Sequence, residues 1–246
     1  MSDLITFEGV TMQYSGAGRY QHGSKQALLD GMAFWRKIER PPIPKALDHV
    51  TFSIKAGEST AIIGRNGSGK STTLALIAGV LHPTSGKVLV SGRVAPLLEL
   101  GAGFHPDLTG RENAELNAVL LGMTRAEAQK RLPAILDFAQ IGPAIDSPIR
   151  TYSSGMMARL GFAVAVHVDA EILLIDEILA VGDVLFQRQC VERIRFLQAQ
   201  GMAIIYVGHG LELVKDICSK ALFMQAGICL GHGPIAEISD AYEKSF

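Results

Sequence analysis

Gly64, Arg65, Asn66, Gly67, Ser68, Gly69, Lys70 and Ser71 lie between a β-leaning apolar run at 59–63 and a helical run at 71–78. Glycines at this spacing let a backbone turn tightly with its N–H groups facing inward, an array of donors that suits the oxygens of a triphosphate. A helix starting directly after the turn adds about half a positive charge at its N-terminus. Lys70 supplies a full cation for the β and γ phosphates, the Ser71 hydroxyl is placed to ligate magnesium, and Thr72 stands next to it. The residues match GxxxxGK[ST] in full, so ATP and Mg2+ are the ligands this segment predicts.

A second group of residues could complete such chemistry. Ile172, Leu173, Leu174 and Ile175 form an apolar run that ends in Asp176 and Glu177. A strand of this kind passes through a sheet interior and delivers its last residues at the carboxyl edge, where open α/β sheets bind ligands. Asp176 would hold magnesium there, directly or through water, and Glu177 would polarise an attacking water as general base. Alone, the same residues read equally well as a buried strand ending in a solvated acidic turn; the glycine-rich loop favours the catalytic reading. Tyr152, Ser153, Ser154, Gly155 and Met156 open a further helix with hydroxyls at the N-cap position. That arrangement is either a plain cap or a grip on phosphate. An isolated His209 follows another apolar run at 202–207.

These groups need a frame. Alternation of apolar and polar residues predicts strands at 4–11 and 47–54, and the five-residue run at 59–63 leads into the glycine-rich loop. The helix at 71–78 stops at Gly79, and a Pro83-Thr84-Ser85-Gly86 turn enters a strand at 87–90, with another at 93–98. The period then lengthens to about 3.6, where Thr109 with Glu112 and Thr124 with Glu127 have the spacing of capping boxes. Further helices are expected at 154–166, at 184–200 and from Pro234 onward, alternating with strands at 171–176, 202–207 and 221–224. The pattern predicts one α/β core carrying an inserted helical subdomain at about 108–166. An irregular insertion at about 15–45 contains Leu28, Leu29, Met32, Trp35 and Ile38 at roughly helical spacing, which suggests a short amphipathic helix with Gly31 inside it.

Bulk composition narrows the partners. Lys plus Arg number 23 against 24 for Asp plus Glu, a net charge of -1. That balance argues against nucleic acid, which selects basic faces. Cys190, Cys218 and Cys229 are odd in number and lack CxxC spacing, so neither a disulfide framework nor a zinc cage is expected. No run reaches the roughly 20 apolar residues that cross a bilayer, and the N-terminus lacks the charge and apolar regions of a signal peptide. Peripheral attachment is the expectation if the chain works at a membrane.

Taken in order, the glycine-rich loop, the Ser-Gly helix start, the apolar strand ending in Asp-Glu and the isolated histidine resemble the ATP-binding subunits of ABC transporters. The resemblance covers essentially the whole chain. It implies a P-loop NTPase core with a mixed sheet, an N-terminal antiparallel β part and an inserted helical subdomain, all in one nucleotide-binding domain over 1–246. It implies that residues 64–72 are the Walker A segment, Asp176 and Glu177 the Walker B end, and Ser153, Ser154 and Gly155 the signature loop. His209 becomes the switch histidine that contacts γ-phosphate. Tyr14 becomes the aromatic residue that stacks on adenine, an ordinary core or surface tyrosine being the alternative. In that family two subunits pack head to tail, so a homodimer is implied, with each ATP between one Walker A loop and the other subunit's signature loop.

Two positions depart from the common pattern. The signature reads Tyr-Ser-Ser-Gly-Met instead of Leu-Ser-Gly-Gly-Gln, and Glu99 falls near the register of a magnesium-sensing Gln. A carboxylate is still a hard oxygen donor, so Glu99 joins Ser71 and Asp176 as an expected metal ligand. Asp183 best matches the family's dimer-crossing aspartate. These departures, with the 93–113 run and Leu179-Ala-Val-Gly-Asp183, resemble a branch of bacterial exporters of lipid-linked polysaccharide: O-antigen, capsule and teichoic acid chains. That branch implies an ATPase at the cytoplasmic face of the inner membrane, partnered by an integral membrane permease, with the lipid-linked polysaccharide as transported substrate. Some members carry a C-terminal carbohydrate-binding domain, which is not expected in a chain ending at Phe246. Three other readings remain: a soluble ABC-type ATPase of translation or DNA repair, usually with tandem cassettes or coiled-coil insertions; a non-hydrolytic nucleotide-gated module, disfavoured by Glu177; and a P-loop kinase, which leaves Ser153–Gly155 and His209 without a role.

Overall fold

The computed structural model describes residues 3–14, 44–97, 101, 103–176, 182–208 and 211–245. Glu99, Glu177, His209 and the amphipathic helix expected around Trp35 lie outside the described residues. Alternating apolar residues fold Asp3–Gln13 (β1) and Lys45–Lys55 (β2) into an antiparallel pair, joined on the other side of β1 by Ser85–Val90 (β4). Between them in sequence come Ser59–Ile63 (β3), buried along its whole length, and the helix Lys70–Ile77 (α1). The remaining strands are Val94–Leu97 (β5), Ile172–Asp176 (β6), Ala203–Val207 (β7), Lys220–Gln225 (β8) and Ile228–Pro234 (β9). They build a six-stranded sheet with β3 in the order β5-β6-β7-β3-β8-β9. All neighbours are parallel except β8 and β9, so the larger sheet is mixed and the smaller one is antiparallel, as expected.

The period-two side-chain rule sorts the core of the large sheet into two layers. Ala61, Ile63, Leu173, Ile175, Ile204 and Tyr206 face one cluster, while Ile62, Ile172, Leu174, Ile205 and Val207 face the other. Helices Ser154–Ala165 (α4), Val184–Ala199 (α5) and Leu211–Ile217 (α6) contribute to the first layer, with Phe162, Phe186, Ile194 and Val214 buried there. The second is closed by α1, through Leu74 and Ile77, and by the three-stranded sheet, where Phe7 stacks on Phe52 at 4.4 Å. Helix Ile235–Glu243 (α7) follows β9, and its Tyr242 meets Phe223 edge to face.

Gly110–Leu120 (α2), Arg125–Ala139 (α3) and α4 pack around a third cluster. Ala114, Ala118, Ala128, Ala139 and Ala163 let the three helices approach closely. Both capping boxes form: Thr109 and Thr124 each accept from the backbone N–H three residues on, and Glu112 and Glu127 reach back to the cap amides. Among the described strands and α-helices, β9 and α6 are those that periodicity did not reveal. β9 carries Gly231 and Gly233 and has no apolar alternation, and α6 has only seven residues. β9 is recruited by pairing with β8 and not by its own propensity.

The start of β3 is fastened by charge. Glu58 accepts hydrogen bonds from Lys220 Nζ at 2.7 Å and Thr60 Oγ1 at 3.0 Å, and His232 Nε2 on β9 lies 3.7 Å from Glu58 Oε1. Burial alone would raise the Glu58 carboxyl, but the hydrogen bonds from Lys220 and Thr60 outweigh it and hold it below its ordinary 4.5. Burial likewise holds His232 below its ordinary 6.5, so it is neutral in the fold. Both groups take up protons less readily folded than unfolded, so stability falls as pH drops through 6.5 and then through 4.5 and below. Glu58→Gln should cost roughly 1–3 kcal/mol at pH 7 and flatten the lower part of that acid limb. Thermal unfolding of both proteins at pH 7 and pH 4 checks this; equal losses on acidification would contradict it.

Candidate nucleotide site

Gly64 leaves the carboxyl end of β3 in the middle of the large sheet, and the chain loops through Gly69 into α1. The loop is pressed onto the protein so closely that two of its glycines are required. A Cβ on Gly64 would stand 2.1 Å from the Met224 carbonyl oxygen. One on Gly69, whose φ is +106°, would stand 2.6 Å from Leu47 and 2.8 Å from the Ala46 carbonyl oxygen. Only glycine fits a backbone held at these distances.

Hydrogen bonds then fix which way the loop faces. Lys70 is buried, and its Nζ donates to the carbonyls of Gly64 at 2.7 Å and Arg65 at 3.1 Å. The Ser68 carbonyl accepts from the Gly227 amide in the β8–β9 turn, and the Gly69 carbonyl accepts from the amide and hydroxyl of Thr73. Four of the loop's carbonyls are thereby occupied inside the protein. Ser68 Oγ is buried and has no hydrogen-bond partner among the described residues. A buried hydroxyl without a partner is costly unless something else satisfies it, and a phosphate oxygen in the loop would do so. The donor-rich, acceptor-poor cradle with an ammonium at its base fits a polyphosphate.

Beside this loop lies a cleft of about 500 Å³ lined by Tyr14, Asn66, Gly67, Lys70, Ser71, Thr72 and Asp176, with Ala46 and Val207 closing it. Tyr14 Oη is 3.0 Å from Thr72 Oγ1, which ties the end of β1 to the first turn of α1. Asp176 ends β6 in register with Val207 on β7, and β7 is the only strand between β6 and β3. Two strand spacings place Asp176 about 10 Å across the sheet from the start of the loop, on the same rim as Ser71. A hydroxyl and a carboxylate on opposite walls are an oxygen donor set suited to a hard cation such as Mg2+. Ala46 and Val207 are lining residues that motif reading passed over. Val207 could have been found, since it ends an apolar strand at the same sheet edge as Asp176.

The structure does not bring the Ser-Gly helix start into this cleft. Ser153 is the N-cap of α4, its Oγ accepting from the Met156 amide at 3.2 Å, and Ser153 and Ser154 are exposed. None of Ser153, Ser154 and Gly155 lines the cleft. Asp183 caps α5 by accepting from the Phe186 amide at 2.9 Å, and its carboxylate also pairs with Arg159 at 2.7 Å.

Comparison with known proteins agrees with this geometry. Residues 47–180 match the family model described as "ABC transporter". The chain is 42% identical over 245 residues to the O-antigen export system ATP-binding protein RfbB of Klebsiella pneumoniae, covering 100% of this chain and 99% of that one. It is 38% identical over 240 residues to the teichoic acids export ATP-binding protein TagH of Listeria monocytogenes, covering 98% of this chain and 70% of the other. Among solved structures, the dimeric ATP-binding cassette MJ0796 bound to ADP and Pi superposes with a TM-score of 0.73 at 21% identity, over 94% of this chain and 98% of that one. With this fold, this cleft and these relatives, the chain belongs to the ABC transporter family and is one of its ATPases.

Proposed function

We propose that the chain hydrolyses ATP to drive a bacterial exporter of lipid-linked polysaccharide. The observation that carries the ATPase half is the single cleft lined by Lys70, Ser71 and Asp176 beneath the glycine loop. The export half rests on likeness, over nearly all of the chain, to proteins named for O-antigen and teichoic acid export. Among the described residues no helix is long and apolar enough to cross a membrane. In this reading the chain works peripherally at the cytoplasmic face of the inner membrane, and a separate permease forms the path for the glycan.

In this assignment the loop amides and Lys70 hold the β and γ phosphates of ATP, and Tyr14 lies against the adenine. The Ser71 hydroxyl and Asp176 would hold Mg2+, with Glu99 as a further oxygen donor, and the bound ion would supply neutralisation of charge on the phosphates. Glu177, the residue after Asp176, accepts a proton from the attacking water, and His209 donates a hydrogen bond to γ-phosphate. Ser153, Ser154 and Gly155 serve a different ATP. Both serines are exposed and all three residues lie outside their own chain's cleft, so a helix N-terminus that grips phosphate reaches one only in a second copy. Two chains packed head to tail would close two such sites.

Lys70→Ala should weaken ATP binding at least about tenfold, or 1.4 kcal/mol, while leaving the circular dichroism spectrum intact; calorimetric titration reads the change. Glu177→Gln should keep ATP affinity and lower turnover by roughly 10²–10⁴-fold. It should also elute as a stable dimer when ATP is present. Normal turnover in Glu177→Gln would remove that carboxylate from the role of base. For export, the chain purified with its permease in lipid vesicles should hydrolyse ATP faster when a lipid-linked polysaccharide is added, and a rate indifferent to every such glycan would refute the substrate class.

A further inference from the structure

A second cleft, of about 430 Å³, opens between α3 and α5, floored by the segment 166–171 that joins α4 to β6. Its volume is within the roughly 300–1,000 Å³ typical of small-molecule sites. β6 starts at Ile172 beside this cleft and ends at Asp176 in the ATP cleft. Five residues of strand span about 16 Å, so the two clefts lie at opposite edges of the sheet.

The charges around it are unusual. Arg193 is half-buried, and its Nε and Nη2 both donate to the Val166 carbonyl, at 3.3 and 2.9 Å. No carboxylate among the described residues lies within ion-pair distance of it. Burial, together with the nearby charge of Arg131 on α3, holds its guanidinium below its ordinary range. Two acids also border the cleft, and both are engaged. Glu171 accepts from the Arg93 amide at 2.5 Å, and Asp169 pairs with Arg131. That pair is weak, since the Asp169 side chain is 64% exposed, so Arg131 can turn to a better partner at little cost. His167, on the floor, is held neutral by burial and by both arginines. Two guanidiniums gathered in a concave site with one of them lacking an anion favour a doubly charged phosphate, which guanidinium forks bind with two parallel hydrogen bonds.

The remaining wall is aromatic. The Arg193 guanidinium covers one face of Phe196 at 5.2 Å from the ring centroid, yet Phe196 is still 53% exposed. An exposed ring next to a phosphate grip offers a flat base something to stack on. We propose that this cleft between Arg131 and Phe196 binds a small nucleoside phosphate, with the phosphate on Arg193 and Arg131 and the base on Phe196. An occupant there would tie α3 to α5 directly behind the strand that carries Asp176. The assignment does not depend on which polymer the exporter moves.

Phe196→Trp in the full chain keeps a ring and makes a fluorescent reporter, since Trp35 is the only native tryptophan. Titration of that protein with UMP should give saturable quenching. Adding Arg193→Met or Arg131→Gln should each weaken it by about tenfold or more, and ribose 5-phosphate, which lacks the base, should bind several-fold more weakly than UMP. Arg131→Gln breaks only an exposed pair, so it decides the matter if Arg193→Met proves misfolded by circular dichroism. Absence of saturable quenching up to ~10 mM UMP, an unchanged midpoint in the arginine variants, or equal binding of ribose 5-phosphate would each overturn the proposal.

Discussion

The site depends on a steric constraint: the backbone from Gly64 to Gly69 is clamped against Met224 on one side and Ala46 and Leu47 on the other, with no room for a β-carbon at either end. Clamping matters because of what it does to the peptide dipoles. Carbonyls of Gly64, Arg65, Ser68 and Gly69 are all taken up by partners within the chain. An anion approaching the loop therefore meets few lone pairs, and the favourable field does not have to be reorganised on binding. The two sides of the clamp come from different sheets: Met224 lies on β8, the neighbour of β3 in the large sheet, and Ala46 and Leu47 lie on β2 of the smaller one.

Around that clamp, β3, β6, β7 and β8 are buried on both sides, and their alternate residues feed two separate cores. A strand buried on both faces cannot slip by one residue without exchanging the two sets. Asp176 and Val207 thus come out at a fixed level on the rim. The ion pair of Glu58 and Lys220 sits at the opposite edge of the sheet, at the starts of β3 and β8. Positioning of the chemistry is accordingly a property of the sheet's register more than of the loop that displays it.

Much of this was legible in the residues. The five-residue strand at 59–63, the helix after Lys70 and both capping boxes have strong local causes, and all appear at or within a residue or two of the expected bounds. β9 was not legible, because glycines at 231 and 233 and the polar His232 give it no periodic signature and its pairing with β8 is a tertiary effect. In the site, the glycine loop, Lys70, Ser71 and Asp176 announce themselves by type and spacing. Ala46 does not, since an alanine carries no chemistry and lines the cleft only because β2 presses on Gly69. The bond between Tyr14 and Thr72 joins residues 58 apart and leaves no trace in local pattern.

The cap on α4 has a consequence of its own. Ser153 Oγ uses a lone pair to accept the Met156 amide, and a hydroxyl so engaged still has its proton to give. The helix therefore need not fray for that serine to take hold of an incoming oxyanion: the same atom can stay latched to its own backbone and reach outward at once. Because the proton rotates freely about the Cβ–Oγ bond, engagement and release require no rearrangement of heavy atoms, only a turn of a single hydrogen.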